Sequence, residues 1–231
     1  VVFYIDNDFP EAWKKAIKEG VNWWNEAFKM AGFKEAVQTA DFPANDTTFY
    51  AGNLKYSCIR YVPVNLSKVQ SKVWVDPRSG EIINGTIFVG HDIVKTIANQ
   101  RFIQTAQADK RMRGLQLSEE ILLESIRLNV AREVGHCLGL ADNASASAAF
   151  SVESLRSAAF TEQNGIASSV MDELPYNYIA QPQDDKVQFV QNKLGAYDLY
   201  AIQMGYMLIP DTKTPEEIRE KIMRWVSMKS G

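Results

Sequence analysis

The chain has 231 residues, 46% of them hydrophobic and 23% charged, with a formal net charge of −3. That is enough apolar material for a proper core in one domain, split by a cleft, and it argues against disorder. The charge gives no electrostatic case for nucleic acid, and no apolar run approaches the roughly 20 residues of a membrane span.

From the N-terminus, VVFYIDN reads as a strand. Pro10 then sits where a first helical turn tolerates it, and EAWKKAIKEGVNWWNEAFKMAGF follows with Trp13, Ile17, Val21, Trp24 and Phe28 on one helical face. That face reads as core packing, with Gly32 as the stop. SCIRYVPV and SKVWV are rich in β-formers, and DPRSGE is a turn between SKVWV and IINGTIFVG. Residues 92–110 and 118–138 read as helices, the second opened by Ser118 as N-cap with two glutamates after it. Beyond Leu140 the chain turns Ala- and Ser-rich, then shows short helical pieces and a last amphipathic stretch, PEEIREKIMRWV, opened by Thr214 and Pro215. There is no internal repeat and no low-complexity linker.

Two cysteines, Cys58 and Cys137, are too few for a disulfide framework and read as buried free thiols. N-x-[ST] matches at Asn45, Asn65, Asn84 and Asn143 matter only in a glycosylating cell. The chain opens at Val1 with no initiator Met, basic n-region or apolar h-region, so it reads as a piece of something longer, with any export signal outside it.

The chemistry gathers in NVAREVGHCLGLADN, residues 129–143. At about 100° per residue, Arg132 and His136 stack one above the other on a helix, with Glu133 just to the side. Leu123, Val130, Val134 and Leu138 fall on the far side, the one expected to pack on a sheet. One wall of this helix is therefore core, and the other is free to line a cleft. Gly139 stops the helix where a left-handed conformation is cheap, and the turn can bring Asp142 back toward His136, a spacing that metal sites use. An isolated E-x-x-H is more often a hydrogen-bonded structural histidine than a ligand. About 30 residues on comes SSVMDELPYNY.

Together these segments resemble the metzincins. The signature H-E-x-x-H-x-x-G-x-x-H is met here by Arg132, Glu133, His136, Gly139 and Asp142, and SSVMDELPYNY resembles the Met-turn, with Met171 as its methionine. Taken whole, the chain looks like the catalytic domain of the EcxA-like metzincins, large exported bacterial zinc-dependent metallopeptidases. The resemblance implies an α+β fold, a twisted mixed β-sheet with a long active-site helix and a mostly helical C-terminal subdomain. Residues 1–139 would form the N-terminal subdomain and residues 140–231 the C-terminal one. It also implies an edge strand along the substrate cleft, expected at GTIFVG, and export to the periplasm, cell surface or medium as part of a longer chain.

In that family three side chains of the signature hold zinc and the adjacent glutamate is the general base on zinc-bound water. His136 stands at the second ligand and Glu133 at the base. Asp142 stands at the third ligand, where histidine is usual but carboxylate oxygen also binds zinc. Arg132 stands at the first and offers no lone pair. Glu173 lies two residues after Met171, where many metzincins place a tyrosine that stabilises the transition state. Zinc, expected for the family, is thus expected to be absent or weakly held, since a catalytic zinc needs three protein ligands and an open position. His91, the one other histidine, follows the expected edge strand and is not assigned as a replacement. The guanidinium is expected either to fill part of the metal's space and pair with Asp142 or Glu173, or to swing out to solvent. Three functions follow: an inactive peptidase homologue that holds an extended peptide or protein segment by strand addition, an active metalloendopeptidase using His136, Asp142 and an unassigned third ligand, or a purely structural module.

Overall fold

Five strands form one sheet in the computed structural model, which describes all residues except 65, 115, 213, 230 and 231, so the sequon at Asn65 lies outside the described residues. The strands are β1 (Val2–Ile5), β2 (Gln38–Asp41), β3 (Ser57–Val62), β4 (Val69–Val75) and β5 (Ile82–Gly90), in the order β2-β1-β3-β5-β4. β2, β1, β3 and β5 run parallel, and β4 alone is antiparallel, paired with β5. Parallel neighbours need long crossovers. Here α1 (Glu11–Asn22) and α2 (Trp24–Met30) carry the chain from β1 to β2. β2, QTAD, escapes sequence reading because it is short, polar and at an edge.

GTIFVG, expected at the cleft edge, lies inside the sheet within β5, flanked by β3 and β4. The reason is in its pattern: Gly85, Ile87 and Val89 are buried against the helices, as an interior strand requires. The tight turn after Asp76, closed by Gly80 in a left-handed conformation (φ 76°), folds β4 back along β5 and leaves β4 outermost. The cleft edge is therefore VQSKVWV.

The long helix α4 (Glu119–Cys137) starts at Ser118, whose hydroxyl accepts the Ile121 N–H at 3.4 Å. Val130, Val134 and Leu138 are buried on its sheet side, as the periodicity predicts, while Leu123 is only half-buried against the core. α1 crosses it at Gly20, where an added Cβ would lie 2.6 Å from the Arg127 carbonyl oxygen. The first predicted helix is nearly continuous but is broken at Trp23, where the ladder tightens to a three-residue hydrogen bond from Glu26. Its five apolar anchors are all buried. α3 (Ile93–Thr105) ends earlier than expected because Asp109 caps a separate 3-10 turn, Lys110–Arg113. Arg101, wholly buried, ties α3 to Asp109 and to Glu124 of α4 at 3.2 and 3.3 Å. Among the described residues no helix is long and apolar enough to cross a membrane.

Both cysteines are buried and free; burial pushes the Cys58 thiol up to about 11, and burial together with the nearby Glu133 carboxylate pushes Cys137 to about 12. The Asn84 sequon is closed to modification, because its buried amide donates to the carbonyls of Leu54 and Tyr56.

The remainder holds α5 (Val152–Leu155), α6 (Ala158–Asn164), α7 (Ala196–Tyr206) and α8 (Pro215–Lys229). Asp198, in the first turn of α7 and fully buried, accepts from the Ser169 hydroxyl at 2.6 Å and from the Val170 and Gly195 amides, each at 2.8 Å. Burial raises its carboxyl above the ordinary range, while these donors pull the other way. Replacing it by alanine strips three buried donors of their acceptor, so Asp198→Ala is expected to cost about 3 kcal/mol or more in urea unfolding.

Candidate active site

The last turn of α4 sets the site. Gly139 takes a left-handed conformation (φ 87°) and the Leu140 amide bonds back to the Gly135 carbonyl at 3.0 Å, ending the helix and reversing the chain. His136 Nδ1 lies 2.9 Å from the Leu140 carbonyl oxygen, which can only accept, so that nitrogen carries a proton and Nε2 turns outward. Nε2 is 3.2 Å from Asp142 Oδ1. The same carboxylate oxygen takes a hydrogen bond from Arg132 Nη2 at 2.5 Å.

Arg132 also faces its neighbour, with Nη1 3.4 Å from Glu133 Oε1, a long contact. The other oxygen of Glu133 accepts the backbone N–H of Ser71 on β4 at 2.6 Å. A continuous chain of charge therefore runs from the edge strand through Glu133, Arg132 and Asp142 to His136. Glu133 is buried, whereas the Arg132 and Asp142 side chains are 26% and 48% exposed, so this pair adds only about 0–1 kcal/mol to stability. Among the described residues, the buried Arg132 Nε finds no hydrogen-bond partner.

Met171 is buried beneath α4, where a Cβ added at Gly135 would meet its sulfur and the Trp24 ring. Its carbonyl accepts the Asn143 amide at 2.9 Å, and Asp172 accepts the Ser147 and Leu174 amides, so the turn is tied to the segment that follows Asp142. A pocket of about 340 Å³ opens beside Arg132, lined among others by Asn129, Val170, Asp172 and Glu173. Glu173 is exposed and, among the described residues, makes no ion pair with Arg132. His91 lies apart, hydrogen-bonded to the Tyr61 hydroxyl at 2.7 Å and stacked on Trp13.

The structure thus gathers Arg132, Glu133, His136 and Asp142, places Glu173 on the wall of the adjoining pocket, and leaves His91 outside. Among the described residues no group of three or more His, Cys, Asp or Glu side chains is placed to hold a metal ion. The Arg132 guanidinium holds Asp142 Oδ1, the oxygen that faces His136 Nε2. Sequence reasoning missed Ser71, which no motif marks, and Asp198, which the G-x-x-D pattern opening α7 could have flagged as a helix start.

An α+β fold whose E-x-x-H helix ends at a left-handed glycine, above a buried methionine turn, defines a metzincin-type metallopeptidase domain. A family model described as Met-zincin matches residues 114–231, just over half of the chain, and the chain belongs to that family. No curated protein and no solved structure matches it.

A Cβ at residue 139 would meet only Ile82 Cδ1, at 3.4 Å, so its cost is one of backbone conformation. Gly139→Ala is expected to lower the free energy of unfolding by about 1–2 kcal/mol, read from the urea midpoint.

Proposed function

We propose that this domain is a metzincin-family peptidase homologue whose metal site is degenerate and whose hydrolytic activity is impaired or lost, while the cleft along β4 still binds an extended peptide or protein segment. One observation carries the reading: the Arg132 guanidinium stands where the family's first ligand would, holds Asp142 at 2.5 Å and faces Glu133. The third-ligand carboxylate is thereby neutralised by a side chain, and the base is engaged with Arg132 and Ser71 in place of a metal-bound water. A fixed cation at this point also repels a divalent ion.

The retained binding function follows from the edge. Ser71 points its N–H away from β5 toward the open side, and Val73, two residues on, shares that orientation. The Ser71 N–H is held by Glu133, and a backbone group that faces off a sheet edge, as that of Val73 does, is where an added strand pairs. Export and further domains in a longer chain belong to the same reading, by kinship with secreted bacterial metzincins. The competing reading, an active metallopeptidase, requires a third donor beside His136 and Asp142.

Elemental mass spectrometry after zinc incubation and desalting decides between them. The parent is expected to retain close to no zinc and an Arg132→His variant about one ion per chain, because that change restores a three-donor set. One zinc per chain in the parent would return the assignment to an active peptidase.

A further inference from the structure

The face of the sheet turned away from α4 is covered on one half only. Over β1 and β3, residues 42–56 lay down an aromatic cluster in which Phe49 packs on Tyr4, Phe42 and Tyr56 with ring centres 4.8–5.4 Å apart. Over β3, β5 and β4 there is instead an open trough of about 430 Å³, rimmed by residues 51–54. Its floor carries Phe88, Thr86 and the buried Asn84 from β5, and its walls carry Arg60 from β3 with Lys72 and Trp74 from β4.

Three properties of this trough call for an occupant. Trp74 is 58% exposed at the sheet edge, a large apolar surface left in water. The Arg60 guanidinium sits over the Phe88 ring, 5.8 Å from its centre, and is held in place by that ring. Among the described residues neither Arg60 nor Lys72 makes an ion pair or a side-chain hydrogen bond, and no acidic residue lines the trough. A chain of net charge −3 thus keeps two uncompensated cations around an aromatic floor.

We infer that this trough is a second docking surface, distinct from the cleft, for an extended acidic peptide segment carrying aromatic or aliphatic residues between its carboxylates. The strand order and register set the choice. Arg60 is paired across from Phe88 and Lys72 from Thr86, so the two cations stand on either side of β5, two strand spacings across and two residues along, with backbones about 12 Å apart. One compact anion reaches only one of them, whereas two acidic side chains of one extended segment reach both. The apolar residue between them then covers Phe88 and Trp74. Because the trough lies on the opposite side of the sheet from α4, it stands whether or not the cleft binds peptide.

Fluorescence anisotropy tests this with a fluorescein-labelled nonapeptide of alternating glutamate and tyrosine, its glutamine counterpart, and phosphatidylserine vesicles as a separate arm. The acidic peptide is expected to bind at least ~10-fold more tightly than the glutamine one, with an affinity that falls as salt is raised. An Arg60→Ala/Lys72→Ala double variant, both changes being at solvent-facing side chains, is expected to lose that ~10-fold preference, while Arg132→His in the cleft leaves it unchanged. Trp74→Ala, with its far-ultraviolet dichroism unaltered, is expected to weaken both peptides. Absence of saturable binding, equal binding of the two peptides, an unaltered double variant, or binding to vesicles alone would each overturn the inference.

Discussion

Everything in this molecule that concerns chemistry depends on how closely α4 is held. At Gly20 the neighbouring helix comes within reach of the Arg127 carbonyl, at Gly135 the Met171 sulfur and the Trp24 ring fill the space of a missing side chain, and the Trp24 indole donates to the Ala131 carbonyl at 2.9 Å. Each contact exploits the absence of a Cβ or a free lone pair on the helix backbone. Interiors packed at this density do not slide by fractions of an ångström. The last turn of α4 is accordingly presented to the cleft in one position, and its polar side chains inherit that position.

What those side chains do with it differs from what the fold was built around. A metal centre draws three neutral or anionic donors to a point and leaves one position for water. Here the point is approached by a guanidinium, and the neighbouring carboxylates arrange themselves around it. Arg132 is planar and can face Asp142 with one nitrogen and Glu133 with the other, which a lysine at this position could not do as well. The metzincin helix keeps its glycine stop, and on the proposed reading a guanidinium stands in place of the first ligand. The frame of the site rests on Gly139, Met171 and the buried Asp198.

Much of this was legible in the sequence, and the limits have physical causes. The periodicity of α1 and α4, the Ser118 cap and the left-handed Gly139 are local properties, encoded within a turn or two. The return of Asp142 toward His136 followed from helix geometry plus one reversal of the chain, whereas the sequence left open whether Arg132 pairs with a carboxylate or turns to solvent. What could not be read was pairing between distant segments. Ser71 reaches Glu133 across 62 residues through a backbone amide, and backbone amides carry no sequence signature. The displacement of the expected edge from GTIFVG to VQSKVWV has the same origin, because strand order depends on which neighbour each strand finds. Glu173 and Asp142 looked equivalent as partners for Arg132 by charge, and only the turn after Gly139 brings one of them into contact.

The outermost helix shows how unevenly this architecture is anchored. α8 has no buried residue among its fifteen; Trp225 stacks on Tyr200 with ring centres 5.1 Å apart, and Lys221 reaches the Pro210 carbonyl. A segment with so little apolar burial opens at a small fraction of the free energy that unfolds the core. Its amide protons therefore exchange with solvent through local opening, while those held by Asp198 wait for global unfolding.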